Sequence, residues 1–362
     1  MSEFDKKKQS VVNIINRVIN HTRLFPDANV TKKSLHFAQN NDFDEEILLP
    51  EFRDAIYPIN PKYTDIRECY DKQMNAMWFA SHINLDKDRE DFVKLNKETQ
   101  DFIKNILGFF ATADNSIIVT IDETFKNEIK NLEIKMCYDF QAMMEGIHAD
   151  VYGRLLMEIV QDESEKIRLL NAIKTFPCIR EKNAWSRKWA FSNAPFVQRL
   201  VSNAIVEGIF FSGSFCAIFW LKKQNKMPGL IESNEYISRD EWMHCELACK
   251  IYATKIKHKM KDEMLKEMVN DAVTIEKNFI NESLKCDLIG MNPRLMSQYI
   301  EYVADILLLN LGHTKLYNST NPFPFMQTDF NLQVKSNFFE TKTTTYQRLG
   351  KQQIEQEDPE DF

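Results

Sequence analysis

The sequence predicts an all-α protein, a helical bundle that buries a two-metal carboxylate site, and three observations lead there. Only 9 glycines and 11 prolines interrupt 362 residues, and Leu, Ile, Met, Phe, Glu and Lys recur at helical spacing. Two stretches are too apolar for surface helices, yet each carries one carboxylate. Two further segments place a glutamate three residues before a histidine.

Length alone would suggest two domains, but the continuity of the helical pattern favours one large bundle over residues 55–335. Ahead of it stands a partly helical extension, 1–54, and behind it a polar tail, 336–362. The opening MSEFDKKKQSVVNIINRV lacks the apolar core and small-residue cleavage site of a secretory signal, so a cytoplasmic protein is expected. Seven cysteines, odd in number and in no Cys-x-x-Cys pair, argue against a disulfide framework or a structural zinc site. A net charge of −7, with acidic and basic residues interspersed, offers no basic stripe for nucleic acid. No Gly-x-Gly-x-x-Gly or phosphate-binding loop is present, so nucleotides are not expected to bind this chain.

The first apolar stretch, residues 106–121 (ILGFFATADNSIIVTI), has Asp114 as its only charge; the second, residues 204–221 (AIVEGIFFSGSFCAIFWL), has only Glu207. Both approach the length of a membrane span. The first is 16 residues long, however, Ser212, Gly213 and Ser214 interrupt the second, and the remaining helices are amphipathic, so no membrane is expected. A helix apolar on every side belongs in the middle of a bundle, where an ionised carboxylate is costly unless paired or bound to a metal.

Residues 140–152 (FQAMMEGIHADVY) and 238–249 (SRDEWMHCELAC) supply Glu145 with His148 and Glu241 with His244. Residues i and i+3 share a helix face, so each pair can grip one ion. Carboxylate-bridged di-metal bundles take Glu-x-x-His from two helices and one carboxylate from each of two others. Asp114, Glu145, His148, Glu207, Glu241 and His244 complete that set, each contribution in its own helical segment. One such motif alone is weak; the ordered set is strong. Four carboxylates also neutralise two divalent cations, as an apolar core requires. His21, His36, His82, His258 and His313 lack this context and read as ordinary polar residues.

Oxygen and imidazole ligands with open positions suit two iron ions, with manganese possible, and such a pair can reduce dioxygen to a strong oxidant. Tyr152 lies one helical turn beyond His148 on the same face and is the best candidate for one-electron oxidation.

The segments FFATAD (109–114), FQAMMEGIHADVY, VEGIFFSGSF (206–215), MPGL (227–230), ISRDEWMHC (237–245) and YQRLG (346–350) resemble the small, radical-bearing subunit of class I ribonucleotide reductase, of the eukaryotic and viral type. The resemblance runs from about residue 55 to the end. It implies a ferritin-like bundle in which the six residues bind iron, Glu145 and Glu241 bridge, and Tyr152 carries a stable radical. It further implies an apolar radical pocket lined by Phe211, Phe215 and Ile237, and a relay through Tyr346, Trp78, Asp240 and His148. Asp240 would accept the second ring N–H of His148. The resemblance also implies a homodimer whose acidic tail, KQQIEQEDPEDF, docks on a large catalytic subunit where ribonucleotides are reduced. A ferritin-like iron oxidase or an acyl desaturase would share the Glu-x-x-His pairs without needing Tyr152, Trp78 and Tyr346 together. A silent bundle that only occupies the large subunit is a third reading.

Overall fold

The computed structural model describes residues 61–222, 225–283 and 293–326. By contacts the chain divides into Met1–Asp42 and Phe43–Phe362, and all described residues belong to the second unit. The 1–54 extension, the 336–362 tail and Tyr346 lie outside the described residues.

Helix α1 (Thr64–Asn75) and the short α2 (Asp88–Val93) precede α3 (Lys97–Thr120), which opens on Asn96, whose side chain accepts the Thr99 amide at 2.8 Å. Such a side-chain acceptor satisfies one of the amides a helix start leaves unpaired. A π turn, Ile121–Phe125, and one further turn, Lys126–Glu128, extend α3 toward Asn131, which caps α4 (Leu132–Ile159) in the same way. The buried residues of α4 (Ile134, Tyr138, Gln141, Glu145, His148, Tyr152, Leu155 and Ile159 among them) recur at three- and four-residue spacing. That spacing forms a single inward stripe. Helices α5 (Glu163–Leu170), α6 (Ala172–Thr175) and α7 (Pro177–Ala190) follow, α7 with proline at its start, where no N–H is missed.

Helix α8 (Phe196–Ile205) runs through a π turn, Val206–Phe210, and Phe211 into α9 (Ser212–Lys222), and almost every residue along it is buried. The expectation that Ser212–Gly213–Ser214 breaks this stretch is corrected: the irregularity is the π turn just before them, and the three residues begin α9. They are small because another helix passes close by; a Cβ on Gly213 would stand 2.8 Å from Ile280. Two helical runs, Lys97–Glu128 and Phe196–Lys222, are long and apolar enough to cross a membrane, but 94% of the second's most apolar window is buried inside the protein. It is a core helix.

Helix α10 (Pro228–Lys255) begins after Met227, whose φ of 53° turns the chain into it. Asp88 of α2 accepts the Gly229 amide at 2.9 Å and the Leu230 amide at 2.7 Å, and thereby caps α10 from a distant part of the chain. Gly229 is required there, since a Cβ would lie 2.5 Å from the Asn84 carbonyl oxygen. Helices α11 (Asp262–Ser283) and α12 (Pro293–Asn310) close the bundle. Packing of α3 on α4, α8 on α10 and α4 on α10 brings four helices around one centre, while α11 and α12 back the π turn.

Candidate metal centre

Asp114 projects from α3, Glu145 and His148 from α4, Glu207 from the π turn after α8, and Glu241 and His244 from α10. All six are at most 2% exposed. Their donor atoms form two overlapping groups within 4.8 Å, Asp114–Glu145–His148 and Glu145–Glu207–Glu241–His244.

Glu145 and Glu241 each face both histidines. Glu145 Oε2 lies 3.5 Å from His148 Nδ1 and Oε1 lies 3.1 Å from His244 Nδ1. Glu241 Oε1 lies 3.0 Å from His148 Nδ1 and Oε2 lies 3.1 Å from His244 Nδ1. A carboxylate with one oxygen at each histidine has the geometry of a bridge between two ions.

The donor set fits two cations on a second count. Asp114 Oδ2, Glu145 Oε2 and Glu207 Oε2 are buried without a hydrogen-bond partner, and His148 Nδ1 and Glu241 Oε1, though 3.0 Å apart, are not aligned for a hydrogen bond. Orphaned acceptors at this density in an apolar core are the complement of bound cations. Burial, then the Glu145 and Glu241 charges, pushes the Asp114 carboxyl well above its usual range, and burial with Glu241 and Glu145 does the same to Glu207. Burial works against charge on His244, but Glu145 and Glu241 outweigh it and raise the imidazole to about 9.

His148 is oriented from behind. Its Nε2 lies 3.2 Å from Asp240 Oδ2, which leaves Nδ1 for the cluster, and Trp78 Nε1 donates to the same oxygen at 2.7 Å. The Trp78 and His148 rings are nearly parallel, 6.0 Å apart and 18° inclined. The other oxygen of Asp240 accepts from Arg239 Nε at 3.1 Å and Nη2 at 2.9 Å.

Tyr152 is 1% exposed, with its hydroxyl unpartnered. Burial, followed by the Asp114 charge, pushes its phenol well above the usual range, so it is a neutral phenol. Phe110 stacks on it at 4.6 Å and 11°, and behind Phe110 stand Phe215 at 5.1 Å and Phe211 at 5.7 Å. Ile237 is buried on α10.

Three neighbours were not singled out from the sequence. Phe110 lies four residues before Asp114 and Gln141 four before Glu145, each one turn along the same helix face, and that spacing was the available signal. Gln141 Nε2 donates to Glu207 Oε1 at 2.6 Å and fixes its rotamer. Arg239, adjacent to Asp240, carried no such signal. Among the histidines read as ordinary, His313 is a satisfied polar residue between Tyr252 and Asp262.

The fold and site define a helical bundle with a buried di-metal carboxylate centre. Comparison with known proteins specifies it further. The family model for the ribonucleotide reductase small chain matches residues 55–322, and the chain belongs to that family. A ribonucleoside-diphosphate reductase small chain of Plasmodium falciparum is 43% identical over 334 residues, covering 92% of this chain and 95% of that one. The small chain of Trypanosoma brucei brucei is 47% identical over 308 residues, 84% of this chain and 90% of its own length. Among solved structures, the ribonucleotide reductase Rnr4 homodimer of Saccharomyces cerevisiae superposes with a TM-score of 0.73 at 30% identity, covering 92% of this chain and 99% of that one. The dimanganese(II) NrdF of Streptococcus sanguinis shares the fold, with a TM-score of 0.66 at 16% identity over 76% of this chain and 99% of that one.

Proposed function

We propose that this chain generates and stores a tyrosyl radical on Tyr152 and passes its oxidising equivalent through His148, Asp240 and Trp78 toward a large catalytic subunit, where ribonucleotides are reduced. The observation that carries this reading is the shared Asp240 oxygen, which joins Trp78 to His148 on the far side of the ring from the carboxylates. An iron store or a desaturase would not need Tyr152, Trp78 and Tyr346 together.

Asp114, Glu145, His148, Glu207, Glu241 and His244 would hold two ions, iron by the chemistry of the ligands with manganese the alternative. Such a pair, when bound, supplies dioxygen reduction and so a one-electron oxidant. Tyr152 would give up an electron to that oxidant and its hydroxyl proton to a neighbouring carboxylate, with Asp114, whose charge acts on the phenol most strongly among them, the candidate acceptor. Phe110, Phe211 and Phe215 keep water and small reductants from the ring. In the relay, Asp240 holds the indole proton of Trp78 in a hydrogen bond, so electron and proton can move together. Tyr346 would continue the relay, and the acidic 351–362 segment would dock on the large subunit.

A second copy of the chain is the proposed occupant of the outer face of α4. Met143, Gly146, Asp150, Gly153 and Met157 fall on one stripe of that helix, the two methionines are 42% and 58% exposed, and nothing lies within 4 Å of a Cβ added at either glycine. The homodimer among the structural relatives supports the same assembly. Six described cysteines are free and buried, which suits the reducing cytoplasm.

The test is to load the protein with ferrous iron and oxygen and record its electron paramagnetic resonance spectrum beside Tyr152→Phe. A tyrosyl signal in the wild type alone is expected. Two bound irons with no radical would replace this reading with an oxidase or a silent bundle.

A further inference from the structure

Lys182 is buried in the core at 1% exposure, and its partner Glu276 at 0%. Lys182 Nζ lies 2.5 Å from Glu276 Oε2, donates to the Phe210 carbonyl at 2.6 Å, and sits over the Phe109 and Phe279 rings at 3.8 and 3.7 Å. Burial, against the pull of Glu276, lowers the ammonium to about 8, and burial raises the Glu276 carboxyl to about 7.

A pair so costly to desolvate is weak evidence for stability, because apolar residues of similar volume commonly replace buried ion pairs without loss. Its placement offers another reason. Phe210 ends the π turn that carries Glu207, and Phe211 follows at once. A π turn is a local departure from the helical ladder found mostly at functional sites. The neighbouring Ile209 carbonyl accepts Ser212 Oγ at 2.7 Å, so two successive carbonyls at this turn are held by side chains. Glu276 Oε1 stands 2.7 Å from where a Cβ on Gly213 would be, so the pair presses on the start of α9 as well. Phe109, beneath the ammonium, packs edge-on against Phe211 at 5.6 Å, on the wall behind Phe110 and Tyr152.

We propose that Lys182, held by Glu276, is a positioning residue for the metal centre: by binding the Phe210 carbonyl it fixes the π turn that presents Glu207 to the cluster and Phe211 to the radical pocket. This rests on the reading of Glu207 as a ligand, and metal loading of the wild type tests that reading separately.

The experiment compares wild type with Lys182→Met/Glu276→Leu, an apolar pair of similar size, and with Glu276→Gln, in which even an uncharged Lys182 amine still donates to Phe210. Two readouts are taken: amide hydrogen exchange of residues 209–214 in the metal-free protein, and manganese(II) stoichiometry and affinity by titration. In the double variant we expect a cooperative fold, at least tenfold faster exchange confined to that segment, and about 10–100-fold weaker binding of one of the two ions, the range for losing a group that orients a ligand. Glu276→Gln should stay within about threefold of wild type on both, as the intact carbonyl contact requires. Should the apolar double variant not fold, Lys182→Gln/Glu276→Gln keeps a polar pair too short to reach the carbonyl, and the same two readings decide. Unchanged exchange and unchanged binding in a folded double variant would overturn the proposal, as would equal losses in Glu276→Gln. A wild type that fails to bind two ions would instead overturn the ligand reading.

Discussion

Trp78 donates its indole N–H to Asp240 at 2.7 Å, through the same carboxylate oxygen that faces His148 Nε2 at 3.2 Å. One atom therefore orients an imidazole that faces the Glu145 and Glu241 carboxylates and holds the proton of a buried tryptophan. The two roles separate by mutation. Trp78→Phe should leave the Tyr152 radical intact in its resonance spectrum while turnover with the large subunit falls to background. Asp240→Asn should lose turnover and also weaken metal binding about 10–100-fold, because it removes the acceptor that fixes His148. Equal turnover in Trp78→Phe and wild type would remove Trp78 from the relay.

Metal loading should be strongly pH-dependent. His244 is held at about 9 in the metal-free cluster, and Asp114 and Glu207 are raised well above the usual carboxyl range. All three must shed protons to act as ligands, so binding releases protons and affinity rises with pH. The expected slope is about tenfold per pH unit for each proton displaced near neutrality. Manganese(II) titration in weak buffer with a pH indicator measures the release directly; no release would contradict these protonation states.

Ion binding should also stabilise the fold, since only the folded chain assembles the six donors. At 100 times the dissociation constant the gain is about 2.7 kcal/mol for one site. Thermal unfolding with and without chelator should therefore differ by several degrees, and Glu207→Ala should reduce the difference.

Phe110→Ala should open a cavity against the Tyr152 ring, which it stacks at 4.6 Å. Truncating a buried phenylalanine costs about 3–5 kcal/mol. Beyond that loss, the radical should decay faster in the presence of a small reductant such as hydroxylamine, measured by resonance amplitude against time. An unchanged decay would show that Phe110 packs the core without shielding the radical.

Gly229→Ala tests the start of α10. The added Cβ would meet the Asn84 carbonyl at 2.5 Å and Asp88 Oδ2 at 2.8 Å, so the cap on α10 must shift. Overpacking of this kind costs about 1–3 kcal/mol, visible in denaturant unfolding. Because α10 carries Glu241 and His244, metal affinity should fall as well.

The cluster of four carboxylates and two histidines was legible in the sequence because its logic is local. Glu145 with His148 and Glu241 with His244 are neighbours on any helix, whatever packs against it, and Asp114 and Glu207 betray themselves as single charges in apolar helices. Tyr152 follows His148 by one turn, so it too was fixed by helical geometry. Tertiary structure alone decided what joins segments far apart in the chain: Phe110 lying flat on Tyr152, Gln141 bound to Glu207, Asp88 capping α10, and Lys182 with Glu276 behind the π turn. Helical periodicity states which face of a helix is buried, but the register and angle at which two helices meet arise from packing of the whole bundle. For that reason the donors could be read from spacing, and Asp240 from the family resemblance, whereas Phe110, Gln141 and Lys182 emerged only from the folded chain.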